Sequence, residues 1–259
     1  MISEIAAGDV TAMSRYAGNF LLILLRAGIF LSLLPVIGAK QLPAQFRLGL
    51  AVFISLLLTP VINVPVAEYS IALLVLKEMI VAAALGLTVR FVFLAVNMAG
   101  TFMSYAMGLS MARVFNPEVG QDTLVAEVYG IFTMLIFLSL DAHHDLIYVF
   151  VKSFELLPAG HFRPEPLLPE IVSMGTGLFA LALKISAPVM VGLLIVHLLS
   201  GFLYKVAPQM NIFFITMPLN ILLGIVLMLL TIPVFEHVLG ISFSDLRAEM
   251  SRLIITTRG

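Results

Sequence analysis

Asp141, His143, His144 and Asp145 form a cluster of side chains able to hold a proton or a metal ion. On a helix, Asp141, His144 and Asp145 have i, i+3, i+4 spacing, which gathers oxygen and nitrogen ligands on one face. A polar patch that interrupts an apolar run more commonly hydrogen-bonds at a helix bend or end, so no metal is assigned here. His197 stands alone and reads as an interior histidine satisfied by a neighbour. Gly175-Thr176-Gly177 has no preceding strand and lacks the third glycine of a dinucleotide fingerprint, which leaves close helix approach as its reading. The sequence contains no Walker lysine motif, no His-Glu-x-x-His and no Gly-x-Ser-x-Gly elbow. Cysteine is absent, which removes thiolate chemistry and disulfides. The expectation is a protein that is not an enzyme and takes no cofactor.

Charge in the wrong places is more informative. Arg26, Lys77, Glu78, Arg90, Glu127 and Lys184 all fall within or at the edge of apolar runs. A charge at the bilayer centre costs about 2.5–3.5 kcal/mol on insertion scales. Such groups must pair, face water, or lie outside the hydrocarbon. Glu127 and Arg90 sit where snorkelling at a helix end suffices. Arg26, Lys77, Glu78, Lys184 and His144 are the candidate buried charged or polar groups, with at least one opposite-charge pair expected. A second unusual segment spans Met98–Thr123, where Met103, Tyr105, Met107, Met111 and Phe115 are mixed with Gly100, Gly108, Asn116, Pro117 and Gly120. Methionine adapts to irregular surfaces, and Asn-Pro with glycine favours a turn. The combination suits a deformable constriction and equally a plain interhelical loop with packed methionines.

The elements that carry these residues are strongly apolar. Of 259 residues 61% are hydrophobic and only 11% charged, against about 25% charged in soluble domains. Too little polar surface remains for a water-soluble globule. A net charge of −1 gives no basic field and argues against a nucleic-acid partner. Six apolar stretches stand out: Tyr16–Ile37, Phe46–Val66, Ser70–Ala99, Leu124–Val151, Ser173–Leu199 and Asn211–Leu239. Each exceeds the roughly 20 residues that cross a bilayer as helix. The first is too long for a signal-peptide core and reads as a retained helix. Short separators rich in Gly, Pro and Asn favour antiparallel hairpins, and Pro60, Pro188, Pro218 and Pro233 predict breaks within the runs. Ser242 with Asp245 resembles a capping box. Phe243, Leu246, Met250, Leu253 and Ile254 fall on one face of a short amphipathic C-terminal helix at an interface. The predicted fold is an all-α membrane protein: about six long hydrophobic helices in packed hairpins, several broken at prolines, with a tail at 242–259. One polytopic domain covers 1–259.

In order along nearly the whole chain, the sequence resembles the FliR family of flagellar export-gate proteins and, more distantly, the injectisome subunit SctT. Arg26 and Pro35 precede Lys40 and Pro43. Gly108 is followed by Asn116-Pro117 and Gly120, and Phe137-Leu138 by His143-His144. Ser153-Phe154 leads to Leu157-Pro158, and Ala187-Pro188 to Ala207-Pro208-Gln209-Met210-Asn211. Met217-Pro218 and Gly224 complete the series. Asn116 departs from the family's usual aspartate, and Ala142 from its common glycine.

The resemblance implies a core subunit of a type III export gate in the bacterial inner membrane, at the flagellar basal body. It implies FliP- and FliQ-type sister subunits and other export-apparatus membrane proteins as partners, and unfolded export substrates as cargo. It also implies that Met107, Gly108, Met111, Val114, Phe115, Asn116, Pro117 and Gly120, in the segment at about 107–120, form a plug that closes the pore. The alternatives are an injectisome subunit of the same fold, a small secondary transporter coupled through Lys77, Glu78 and His144, or a scaffold with no conduit.

Overall fold

A computed structural model of the chain describes residues 2–35, 43–62, 70–109, 123–206 and 212–258. Seven helices occur among the described residues: α1 (Ile2–Leu33), α2 (Ala44–Leu58), α3 (Ile71–Ala106), α4 (Leu124–Ser139), α5 (Ala142–Leu156), α6 (Leu167–Val206) and α7 (Ile212–Thr256). The only pairing of extended backbone among them is an isolated bridge between Phe162 and Arg258. The protein is an all-α membrane protein. Four helices are long and apolar enough to cross a bilayer, or five if the bent pair α4–α5 counts as one span.

Local chemistry explains the places where the elements differ from the sequence reading. The second apolar stretch yields only the 15-residue α2, about 22 Å long at 1.5 Å per residue and shorter than the roughly 30 Å hydrocarbon core. Pro60 lies in the turn that follows it. The fourth stretch is two helices that meet at 69°. No proline makes that bend; Asp141 does, at φ 53°, because a short polar side chain tolerates the left-handed region better than most. Pro188, Pro218 and Pro233 lie inside continuous helices. Each removes one backbone donor without ending its helix.

The tail is also continuous with α7. Ser242 donates its hydroxyl to Val238 O at 2.9 Å, so it bonds back along the helix instead of capping a new one. Phe243, Leu246, Met250, Leu253 and Ile254 are all buried, as their helical spacing requires.

The chain groups into two compact units. The first comprises 1–90, 143–174 and 245–259; the second comprises 91–142 and 175–244. In the first, Ile23, Ala27 and Phe30 of α1 are buried, as are Ala82, Leu85 and Val89 of α3 and Val149 and Phe150 of α5. Phe30 stacks on Phe150 with centroids 5.0 Å apart. Arg163 N donates to Thr257 O at 2.9 Å, tying the tail to the 158–166 turn.

In the second unit, Phe93, Phe137 and Phe243 form a triangle with centroids 5.4–5.8 Å apart. Thr123 caps α4 by accepting from Ala126 N at 3.2 Å. Gly100 meets that same turn: a Cβ there would collide with the Ala126 backbone, so α3 and α4 touch main chain to main chain.

Burial is uneven among the long helices. Within an 18-residue apolar window of each, the share buried is 56% for α3, 28% for α6 and 11% for α7. On α6 the buried residues Ala182, Ile185, Ser186, Val189 and Leu193 form one stripe at helical spacing. Outside it, large apolar side chains are exposed from Leu168 to Val206, and on α7 from Phe214 to Ile255.

Candidate functional site

The first unit holds a buried charge pair. Arg26 on α1 and Glu78 on α3 are 0% and 1% exposed. Arg26 Nε and Nη2 converge on Glu78 Oε2 at 2.7 and 2.6 Å. Nη1 donates to Ser153 Oγ at 3.0 Å, and Nη2 reaches Leu157 O at 3.4 Å. The guanidinium lies over the Phe154 ring, 4.1 Å from its centroid. Ser153 in turn donates to Phe150 O at 2.6 Å. One arginine therefore ties α1, α3 and the end of α5 together with every bond charge-assisted, the stronger class of hydrogen bond. An arginine suits this role because its planar fork presents several donors and cannot lose its proton.

The neighbouring residue behaves differently. Adjacent residues on a helix point about 100° apart, so Lys77 cannot share the direction of Glu78. Lys77 is half-buried and donates from Nζ to Gly160 O at 2.8 Å. Gly160 has φ 85°, a left-handed turn that presents this carbonyl. Lys184 lies on the exposed side of α6, and among the described residues no ion pair involves it. Arg90 and Glu127 are exposed as well, the latter in the first turn of α4.

Asp141, His143 and His144 each offer a ligand atom within 4.8 Å of the others, but not through the helical face expected for them. Asp141, with its left-handed backbone, stands before α5, so it does not continue the helical face of His144 and Asp145. His144 is exposed, with its ring 4.1 Å from that of His143. Asp145 meets Arg247 Nη1 at 3.4 Å, and Arg247 lies over the Tyr148 ring at 4.2 Å. His197 is exposed, contrary to the interior position expected for it. Its Nε2 lies 3.0 Å from the amide nitrogen of the buried Asn220.

Met107 and Gly108 begin the glycine- and methionine-rich segment. Helix α3 ends in a Schellman motif: Leu109 N donates to Ser104 O at 3.0 Å, and Gly108 N to Tyr105 O at 3.1 Å. Gly108 supplies the left-handed residue at φ 79°. Met107 is buried beneath it, 1% exposed. Met111, Val114, Phe115, Asn116, Pro117 and Gly120 lie outside the described residues.

Sequence reading passed over Ser153, Phe154 and the Leu157 carbonyl as partners of Arg26. Their separations of 127 to 131 residues leave no local signal. It also passed over Glu236 and His237, which with Ser139 and Pro233 line an open cleft of about 500 Å³ in the second unit.

The model of bacterial export proteins, family 1, matches residues 17–246, and so includes the Arg26–Glu78 pair and Gly108. The chain is 30% identical over 243 residues to the flagellar biosynthetic protein FliR of Bacillus subtilis (strain 168), covering 91% of this chain and 94% of that protein. To FliR of Escherichia coli (strain K12) it is 31% identical over 242 residues, covering 89% and 92%. For FliR of Aquifex aeolicus (strain VF5) the figures are 29% over 242 residues, 92% and 94%. These alignments run through α1 and α7 alike, and on that ground the chain belongs to the FliR family of bacterial export proteins.

Proposed function

We propose that this chain is a core subunit of the flagellar type III protein export gate in the bacterial inner membrane. There it lines and closes the channel that passes unfolded flagellar proteins, beside FliP- and FliQ-type sister subunits in the basal body. Its part is structural and not catalytic.

The observation that carries this reading is the length of the exposed apolar surface. From Leu168 to Val206 on α6 the helix contour is about 57 Å at 1.5 Å per residue, against a hydrocarbon core of roughly 30 Å. Keeping that stretch in lipid demands a tilt of about 60°, where spans average about 20°. α7 is longer still, at 45 residues. Apolar side chains beyond the lipid must be covered by protein, and Lys184 in their midst calls for an acidic partner there. A small transporter embedded in lipid alone leaves this surface unexplained.

Closure rests on the segment Met107–Gly120. Export needs a passage wide enough for an extended chain, yet an idle passage must not dissipate the proton gradient, so a displaceable element is required. Apolar groups at Met107, Met111, Val114 and Phe115 exclude water from a constriction, and Gly108, Asn116-Pro117 and Gly120 permit the backbone to turn. Deleting Met111–Gly120 is expected to make assembled complexes leak ions and small solutes while assembly is retained. Conductance of purified complexes in planar bilayers checks this. A baseline unchanged by the deletion, with assembly verified, removes the closing role.

A further inference from the structure

We infer that the cleft between α4 and α7 receives an arginine or lysine side chain from a neighbouring subunit, with the Glu236 carboxylate as its counter-ion. The inference rests on the assembly proposed for the chain and adds the chemistry of one contact within it.

The groups that line the cleft can accept hydrogen bonds, and almost none can donate one. Ser139 Oγ donates its hydrogen to Ile136 O at 3.2 Å, and Ser244 Oγ donates to Ile241 O at 2.8 Å. Each hydroxyl has therefore committed its one hydrogen and keeps only lone pairs. An ionised carboxylate only accepts, and Pro233 has no N–H to offer. The rest of α7 at the cleft is helix interior, so its N–H groups bond along their own chain. Ile136, Ser139 and Leu140 bring the C-terminal end of α4 to the cleft, and that end carries partial negative charge. Only the His237 imidazole retains a donor, on one of its two nitrogens when neutral.

Glu236 finds no counter-charge in its own unit. The described residues there carry two cations, Lys184 and Lys205, both on α6. Among the described residues no hydrogen bond or ion pair involves Glu236. Its surroundings make that costly. It lies near the middle of the apolar stretch Phe214–Thr256, and Leu230, Val234 and Ile241 beside it on α7 are exposed, as is Leu140 at the end of α4. Lipid or protein covers a surface so apolar, and an unpaired carboxylate is disfavoured in either.

The space suits a long side chain. The cleft holds about 500 Å³ and opens to the outside. Gly240 forms part of its wall, and a Cβ there would meet nothing within 4 Å. Glu236 and His237 are adjacent on a helix and point about 100° apart, which does not converge them on a metal ion. A guanidinium with five N–H donors, or an ammonium with three, matches a wall of separated acceptors.

The test uses the complex of this chain with FliP- and FliQ-type subunits, purified together and read by size-exclusion chromatography. Glu236→Gln keeps the shape, removes the charge and should lower complex yield severalfold. Glu236→Arg should lower it further. Gly240→Leu keeps the charge but fills the cleft, and leucine suits a helix better than glycine; it should act like Glu236→Gln. Glu127→Gln is the control, exposed in the same unit but outside the cleft, and should leave the yield alone. Benzoyl-phenylalanine, a photo-cross-linker, introduced at Ile241 then identifies the occupant by peptide mapping. The adduct is expected on a sister subunit beside an arginine or lysine. Reversing that residue to glutamate should restore the yield of Glu236→Arg.

If the wild type assembles while Glu236→Gln and Glu236→Arg both match Glu127→Gln, the inference fails and the gate assignment stands. It fails too if the adducts form only with lipid or within this chain, or if the reversal in the partner restores nothing. If Glu236→Arg gives no soluble chain, Glu236→Gln and the adduct decide. If the wild type forms no complex with those subunits, both the gate assignment and the inference fall.

Discussion

At the scale of single residues, the Arg26–Glu78 pair makes the clearest energetic demand. A buried pair broken on one side leaves an uncompensated charge, at a cost of about 3–5 kcal/mol, whereas replacing both partners with apolar groups is often neutral. Glu78→Gln or Arg26→Met should therefore lower the melting temperature of the purified complex sharply. The double variant Arg26→Met with Glu78→Leu should recover most of the loss, and a double variant as unstable as either single would contradict this. The sequence marks Arg26, Lys77 and Glu78 as charges in apolar runs, which is enough to demand partners. It cannot say which of two adjacent residues faces inward. That depends on the rotation of α3, which is set by packing against α1 and α5. Nor can it identify a backbone carbonyl as partner, and two of those found, at Leu157 and Gly160, are of that kind.

At the scale of elements, apolar periodicity marks α1, α3, α6 and α7, because runs this long outweigh any local preference. Breaks are harder to read. Proline marks one at Pro60, just past the end of α2, but not at Pro188, Pro218 or Pro233, since a long helix with tertiary support tolerates one lost backbone bond. The real bend, at Asp141, has only one short polar residue as its signal. That residue allows a test with an inverted sign. In an ordinary helix, alanine is more stable than glycine by about 0.8–1.0 kcal/mol. At φ 53° a Cβ costs roughly 1–2 kcal/mol, so Asp141→Gly should be more stable than Asp141→Ala. Thermal unfolding of the two variants side by side checks it, and the usual order would rule out a left-handed residue at the bend. The methionine–glycine segment shows the same limit: Gly108 is legible as a turn, but its pairing of α3 with α7 through Met107 and Gly224 is not.

At the scale of the whole molecule, the exposed apolar lengths of α6 and α7 predict dependence on partners. Expressed alone in detergent, the chain should aggregate or yield poorly. Co-expression with the proposed sister subunits should give a monodisperse complex, read by size-exclusion chromatography. Lys184→Met should lower the yield of that complex if the ammonium meets a carboxylate across the interface. A well-behaved monomer that gains nothing from partners would contradict the assembly reading. That the chain is all-helical and membrane-bound is legible from its composition together with the length of its apolar runs. What covers its outer surface is not, because hydropathy gives lipid and an apolar partner the same score.

The excess length of α6 and α7 over a bilayer also bears on which changes the chain can absorb. Lipid is a fluid and adjusts to any apolar outline, so a helix in lipid may exchange leucine, isoleucine and phenylalanine freely and refuses only charge. A neighbouring protein is a solid of fixed outline, packed as densely as a crystal of small molecules. Positions such as Phe179, Leu194 and Leu222 then answer to shape as well as to greasiness. Two chains sharing such a boundary can alter it only in step, each substitution on one side admitting or forbidding those on the other.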